Sequence, residues 1–297
     1  MNLQGCGTAL ITPFHADGSL DDAALTALVQ TQMEQGVSIL IPCGTTGEAS
    51  TLNEQEIERV IQLTITAAAG RAPVFAGCTH NSTAQAVRNA QRLARITGLT
   101  GLLSANPYYN RPNQEGQFQH FRAIAEAVDL PILLYNIPGR TATNLLPETV
   151  LRLTEYPNII GIKESSGLVG QIAEIIAHAP ATFSVLAGDD AMALPVVALG
   201  GKGVVSVASN AIPGPIAQMI AAALRNDWGA AREINARYFA LMQANFCEPS
   251  PAPIKAVLAM LGCCTETLRL PMVPVTEASR AKLKAILQDL DLLPKSL

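Results

Sequence analysis

No block of basic residues occurs anywhere in this 297-residue chain. Only six residues are lysine, charged residues make up 15 %, and the formal net charge is −4. Nucleic-acid grooves and anionic membrane surfaces are met by clustered Lys and Arg, so neither partner is expected. Long apolar runs are missing too. A bilayer-spanning helix needs roughly 18 apolar residues in a row, and the segments LTITAAAG and IAQMIAAAL are too short or interrupted. The N-terminal MNLQGCGTALITPF has neither a charged leader nor an apolar signal core, which leads to the expectation of a cytoplasmic protein. The six cysteines, Cys6, Cys43, Cys78, Cys247, Cys263 and Cys264, contain no CxxC pair. Several lie inside apolar runs, which reads as reduced, buried thiols. His15, His80, His120 and His178 show no HxH or HExxH spacing, so neither a metal site nor another cofactor is expected.

What is present is apolar residue in quantity, 49 % of the chain, enough for a large core. Short apolar runs rich in β-branched residues recur: TALIT (8–12), VSILI (37–41), PVFAG (73–77), GLLSA (101–105), PILLY (131–135), IIGI (159–162), FSVLA (183–187) and GVVSV (203–207). Each is apolar at nearly every position, the pattern of parallel strands covered on both faces. Helical patterns fill the gaps. Asn53 with Glu56 reads as a capping box before IERVIQLTI, and Gly70 stops that helix. Ser82 with Gln85 repeats the signal before AVRNAQRLARI, with Gly98 as the stop, and Pro147 suits a first helical turn. Eight strand–helix alternations predict an α/β fold, a (β/α)₈ barrel over residues 1–225. Residues 226–297 carry helical patterns without strands and form a C-terminal helical extension in this reading.

The segment after nearly every strand is polar, Gly-rich or aromatic: TPF, PCGTTGE, CTHN, NPYYN, NIPGR, KESSG, GDD, ASN. Strand C-termini build the active-site face of such barrels, so these clusters converge on one pocket. Lys163 directly follows IIGI at a strand end, where its stem is walled by the barrel. There it is either half of an ion pair with Glu164 or Asp189, or an amine whose pKa burial lowers until it attacks carbonyls. Lys202, Lys255, Lys282, Lys284 and Lys295 read as ordinary surface or near-surface lysines. Tyr135 ends the PILLY strand on the same face and is either a proton shuttle or a core tyrosine. Thr45 and Thr46 in GTTGE offer hydroxyls and backbone N–H groups for a carboxylate, and Arg140 is a candidate clamp for a second one.

GTTGE (44–48), NPYYNRP (106–112), YNIPGRT (135–141), GIKESSG (161–167), GDD (188–190) and GVVSVASN (203–210) stand in order along nearly the whole chain. As a set they resemble the dihydrodipicolinate synthase family, within the N-acetylneuraminate lyase superfamily. The resemblance implies that Lys163 forms an imine with pyruvate and that Tyr135 is the general acid and base. Thr45 then links Tyr135 to Tyr109, which enters a neighbouring subunit's site, so a homotetramer built as a dimer of dimers is implied. Thr46 would bind the pyruvate carboxylate, with Gly188 and Val205 lining the pocket, and Arg140 would orient L-aspartate 4-semialdehyde. The implied role is 4-hydroxy-tetrahydrodipicolinate formation for diaminopimelate and lysine synthesis.

Many bacterial relatives are inhibited by lysine at a dimer-interface site, which Asn81 and Tyr108 match. Ala49, Glu54 and Ile57 stand where lysine-sensitive enzymes tend to carry Ser and His, and Gln85 replaces an acidic residue, so weak or absent inhibition is expected. The chief alternative is a pyruvate-dependent aldolase for a sugar acid of the N-acetylneuraminate or 2-keto-3-deoxygluconate type. Arg140 and the YYNRP segment favour a carboxylate-bearing aldehyde over a polyol. A non-catalytic barrel is disfavoured by Lys163, Tyr135, Thr45 and Tyr109 occurring together, and a metal-dependent aldolase by the scattered histidines.

Overall fold

The computed structural model describes residues 3–293. Strands and helices alternate as β1 (Gly5–Ala9), α1 (Asp22–Glu34), β2 (Ile39–Ile41), α2 (Glu54–Ala68), β3 (Phe75–Gly77), α3 (Thr83–Leu93), β4 (Gly101–Ala105), α4 (Gln114–Ala127), β5 (Ile132–Asn136), α5 (Pro138–Thr141) and α6 (Pro147–Leu153). The chain continues through β6 (Ile159–Glu164), α7 (Val169–His178), β7 (Ser184–Ala187), α8 (Ala193–Ala198), β8 (Gly203–Ser206) and α9 (Pro213–Leu224). Three more helices follow: α10 (Trp228–Ala244), α11 (Ala252–Met260) and α12 (Glu277–Asp289). The eight strands run parallel in the order β2-β1-β8-β7-β6-β5-β4-β3, and a parallel bridge between Leu40 and Val74 brings the two edges together. This is the expected (β/α)₈ barrel with added C-terminal helices.

Period-2 alternation sorts each strand into two cores. Ala9, Ile39, Ile41, Phe75, Leu103, Leu133, Leu186 and Val205 point inward and fill the barrel, while neighbours such as Cys6, Leu40, Leu102, Leu134, Val185 and Val204 pack outward on the helices. No helix of the described residues is long and apolar enough to cross a membrane. Helix starts follow local chemistry. Asn53 and Glu56 form the reciprocal capping box at α2, and Asp21, Asn113, Asp227 and Thr276 cap α1, α4, α10 and α12 with their side chains. Each such cap contributes about 1 kcal/mol.

Three expectations change. The first strand is Gly5–Ala9 rather than 8–12, because beyond it the Asn210 side chain takes over the backbone, donating to Ala9 O (2.8 Å) and accepting from Ile11 N (3.1 Å). No capping box forms at Ser82. Its side chain makes no cap bond, its N–H donates to His80 Nδ1, and Gln85 is engaged along its own helix with Asn89 and Arg88. The third change is the largest. Lys255 is 0 % exposed, not a surface lysine: it is ion-paired with Glu48 and donates to Thr267 O (2.8 Å). Lys282 and Lys284 are exposed and Lys202 is half-buried, as expected, while Lys295 lies outside the described residues. All six cysteines are unpaired, but only Cys6, Cys43 and Cys78 are buried; Cys247 and Cys264 are half-buried and Cys263 is exposed.

Candidate active site

Strand register brings the two central residues together. Tyr135 on β5 pairs directly with Lys163 on β6, and both side chains lie on the inward face at the strands' C-terminal ends. Lys163 is 4 % exposed and its Nζ stands 4.3 Å from the centroid of the Tyr135 ring. Burial disfavours the ammonium form and pushes the lysine pKa down to about 8, with the Asp190 carboxylate opposing. The Tyr135 phenol is pushed up to about 12, again by burial. Among the described residues Lys163 forms no ion pair with Glu164 or Asp189, whose hydrogen bonds go elsewhere. Glu164 accepts from Asn136, Gln171 and from Ser166 N and Oγ, and Asp189 accepts from Ala191 N.

The ladder continues past β6, with Ser165 N donating to Asn136 O and Gly188 N to Glu164 O (both 2.8 Å). Two residues on from Lys163, Ser165 therefore faces the same interior. Its Oγ is buried and lies against the Tyr135 phenol, where hydrogen bonding to that group partly opposes the effect of burial on the phenol's pKa. A Cβ on Gly188 would fall 1.9 Å from that Oγ and 3.0 Å from both Cε and Cγ of Lys163. Glycine at 188 is thus what leaves room for the amine's stem. We expect Gly188→Ala to slow the reaction of the Lys163 amine with carbonyl compounds on the order of 10²-fold through misplacement of the amine. Rapid-quench borohydride trapping measures this directly, and an unchanged rate would refute the steric argument.

A cavity of about 530 Å³ opens beside the pair, lined by Thr45, Tyr108, Tyr135, Ile137 and Arg140 among others. Thr45 is exposed on the GTTGE turn and Thr46 is buried behind it. That turn is held tightly at both ends: Cys43 (φ 56°) and Glu48 (φ 53°) are both non-glycine residues in left-handed backbone. Such strain persists only where the surroundings over-determine it and concentrates at functional sites. Gly77 is obligatory here, since a Cβ would lie 1.8 Å from Cys43 O.

The remaining expected residues divide. Arg140 is exposed at the cavity and donates to Ser250 O (3.0 Å), and Val205 is wholly buried in the barrel interior. Tyr109 is not brought to this cavity; it is 88 % exposed and presented outward by a turn with positive φ at both Tyr109 (74°) and Arg111 (48°).

Sequence reasoning missed two features. One is Ser165, which the period of two from Lys163 would have flagged. The other is the buried amide network behind the site, in which Asn136 donates to Asn144 Oδ1 (2.8 Å) and Glu164 Oε1 (2.5 Å). The same Asn136 accepts from Leu145 N (2.9 Å) and Asn106 Nδ2 (3.2 Å). It ties the NIPGRT and KESSG segments together.

The model of the dihydrodipicolinate synthetase family matches residues 2–290. The chain belongs to this family. The 4-hydroxy-tetrahydrodipicolinate synthase of Acidobacterium capsulatum is 56 % identical over 294 residues, covering 99 % of this chain and 97 % of that one. Among solved structures, the family member from Acinetobacter baumannii in complex with pyruvate is 38 % identical at a TM-score of 0.96, covering 98 % of this chain and 100 % of its own. The one from Cyanidioschyzon merolae with lysine bound is 40 % identical at a TM-score of 0.93, covering 98 % and 99 %. The family's ordered motifs thus stand on one barrel face around one buried amine.

Proposed function

We propose that this chain condenses pyruvate with L-aspartate 4-semialdehyde through an imine on Lys163. The observation that carries the reading is an amine without an ion pair inside a barrel mouth, with its pKa near 8 and a phenol against it. At neutral pH a useful fraction of that amine is unprotonated and attacks the C2 carbonyl of pyruvate. Thr46 and the backbone N–H groups of its turn hold the pyruvate carboxylate. Tyr135 gives a proton to the carbinolamine oxygen, which leaves as water, and takes one back as the methyl carbon becomes an enamine. The enamine adds to the aldehyde carbon, while Arg140 orients the aldehyde's carboxylate. The semialdehyde's own α-amine then attacks the imine carbon and closes the ring, and its proton passes to the Lys163 nitrogen, which leaves as the free amine.

Gly188 leaves space for the lysine stem and Val205 lines the interior below it. Thr45 relays protons between Tyr135 and Tyr109. Because Tyr109 points away from its own cavity, a second copy supplies it, within a homotetramer built as a dimer of dimers. The product feeds diaminopimelate and lysine synthesis in the cytoplasm, a reducing compartment suited to six unpaired thiols. Pyruvate followed by borohydride gives a stable adduct on Lys163, located by peptide mass mapping. Condensation is then assayed with aspartate semialdehyde against the aldehydes of sugar-acid aldolases; turnover only with the latter overturns the choice of partner.

Regulation follows from the same cavity, whose outer wall includes Ala49, Ile57 and Tyr108. With Ala and Ile there and Gln85 in place of a carboxylate, the site loses about 1–3 kcal/mol for each missing charged contact with L-lysine. Steady-state rates at saturating substrates should fall by less than half at about 1 mM L-lysine, a concentration that corresponds to a binding free energy of about 4 kcal/mol. Sub-millimolar inhibition would contradict this.

A further inference from the structure

Lys255 is a buried charge that the reaction does not use. Its Nζ pairs with Glu48, donates to Thr267 O and sits 4.2 Å from the centroid of the Phe14 ring. Arg269 approaches the same ring, with its Cζ 4.4 Å from the centroid. The backbone N–H of Arg269 also donates to Glu48 Oε2 (3.1 Å). The guanidinium of Arg269 reaches Gly18 O, Thr51 O and both carboxylate oxygens of Glu56. Two carboxylates and two cations are therefore locked around one aromatic ring.

What makes this cluster relevant to chemistry is where Glu48 stands. It is the last residue of GTTGE, three positions after Thr45, buried and held at φ 53°. Its N–H donates to Thr45 O (3.1 Å), and Gly47 O beside it accepts from Thr12 Oγ1 (2.7 Å). The turn has few other long-range anchors on its C-terminal side. An isolated buried carboxylate on a strained turn would be expelled to water; here the chain's C-terminal segment supplies the counter-charge that keeps it in.

We infer that Lys255 and Glu48 are positioning residues: their ion pair, backed by Arg269, clamps the GTTGE turn so that Thr45 and Thr46 face the substrate. The inference rests on the reading of Lys163 as the pyruvate-binding amine. It assigns a catalytic purpose to the helices beyond the barrel, since α11 and the segment after it deliver both cations.

The test compares Lys255→Met/Glu48→Gln with the unaltered chain. Removing both charges avoids leaving one buried and unpaired, so the double variant retains its fold. Three readouts are taken on the full-length protein: Tm, KM and kcat for pyruvate, and the rate of borohydride-trapped adduct on Lys163. We expect KM for pyruvate to rise about tenfold or more and adduct formation to slow correspondingly. A merely structural pair would lower Tm and the active fraction, reducing kcat while KM stays put. A folded double variant with the original KM and trapping rate overturns the clamp. Should it fail to fold, Glu48→Asp keeps the charge but withdraws the carboxylate by one methylene, and the same KM and trapping readouts decide. If the unaltered chain forms no adduct on Lys163, the imine reading falls and the clamp with it; a normal adduct there with an unmoved variant sinks the clamp alone.

Discussion

Replacing Lys163 by methionine should abolish adduct formation with pyruvate and at the same time make the protein more stable. The first half follows from chemistry, since among the described residues the other lysines are exposed, half-buried or, in Lys255, paired with Glu48. The second half follows from linkage. The folded-state pKa of Lys163 is lowered from 10.5 to about 8 by burial. For a cation, a lowered folded pKa means that the unfolded state holds the proton more tightly. The penalty is therefore complete below about pH 8 and fades as pH rises towards 10.5, where both states are neutral. A shift of that size corresponds to roughly 3 kcal/mol. Met fills nearly the same tube without charge, so urea denaturation at pH 7 should show Lys163→Met gaining about 2–3 kcal/mol, with the gain shrinking above about pH 8. Equal stability of the two proteins at pH 7 would mean that the amine is solvated, and the catalytic reading would lose its physical basis.

That expected gain contrasts with the other interior lysine. Lys255 is also buried, but Glu48 compensates it, so deleting Lys255 alone would leave a carboxylate stranded and cost about 3–5 kcal/mol. Burial, in other words, does not identify a catalytic lysine. What separates Lys163 from Lys255 is the lack of a counter-ion at Nζ together with its contact with Tyr135, which lines the cavity. From the chain alone, the strand end before Lys163 was visible as an apolar run stopping at a polar cluster. The partner of Lys255 was not, because Glu48 lies near the opposite end of the sequence and no local pattern announces a pairing of that separation.

The same division between local and long-range information explains the rest. Eight apolar runs and their polar ends were legible because both faces of a parallel strand are buried and every C-terminus meets one rim. The α2 capping box was legible because its partners are three residues apart. The end of β1 is not legible locally, because Asn210, from beyond β8, decides where that strand leaves the ladder. At Ser82 the motif was right in letters and wrong in chemistry, as His80 offered its backbone N–H a nearer acceptor. Tyr109 is 88 % exposed and turned away from its own cavity, so the relay proposed for it depends on a second copy.

Tyr135→Phe is the complementary experiment, because it removes the proposed proton carrier while leaving the ring against Lys163. Loss of a positioned acid–base group reduces rate by about 10²- to 10⁴-fold, and that is the expected fall in kcat/KM for pyruvate. The pH profile carries the sharper information. With the phenol pushed up to about 12, Tyr135 keeps its proton throughout the accessible range. The single ascending limb of kcat/KM then belongs to Lys163 losing its proton, with a midpoint near pH 8. Because burial, not the phenol's charge, sets that value, the Phe variant should show the same midpoint on a lower plateau. A midpoint displaced towards 10 in the variant would mean that the hydroxyl, rather than desolvation, tunes the amine, and the division of labour between the two residues would have to be redrawn.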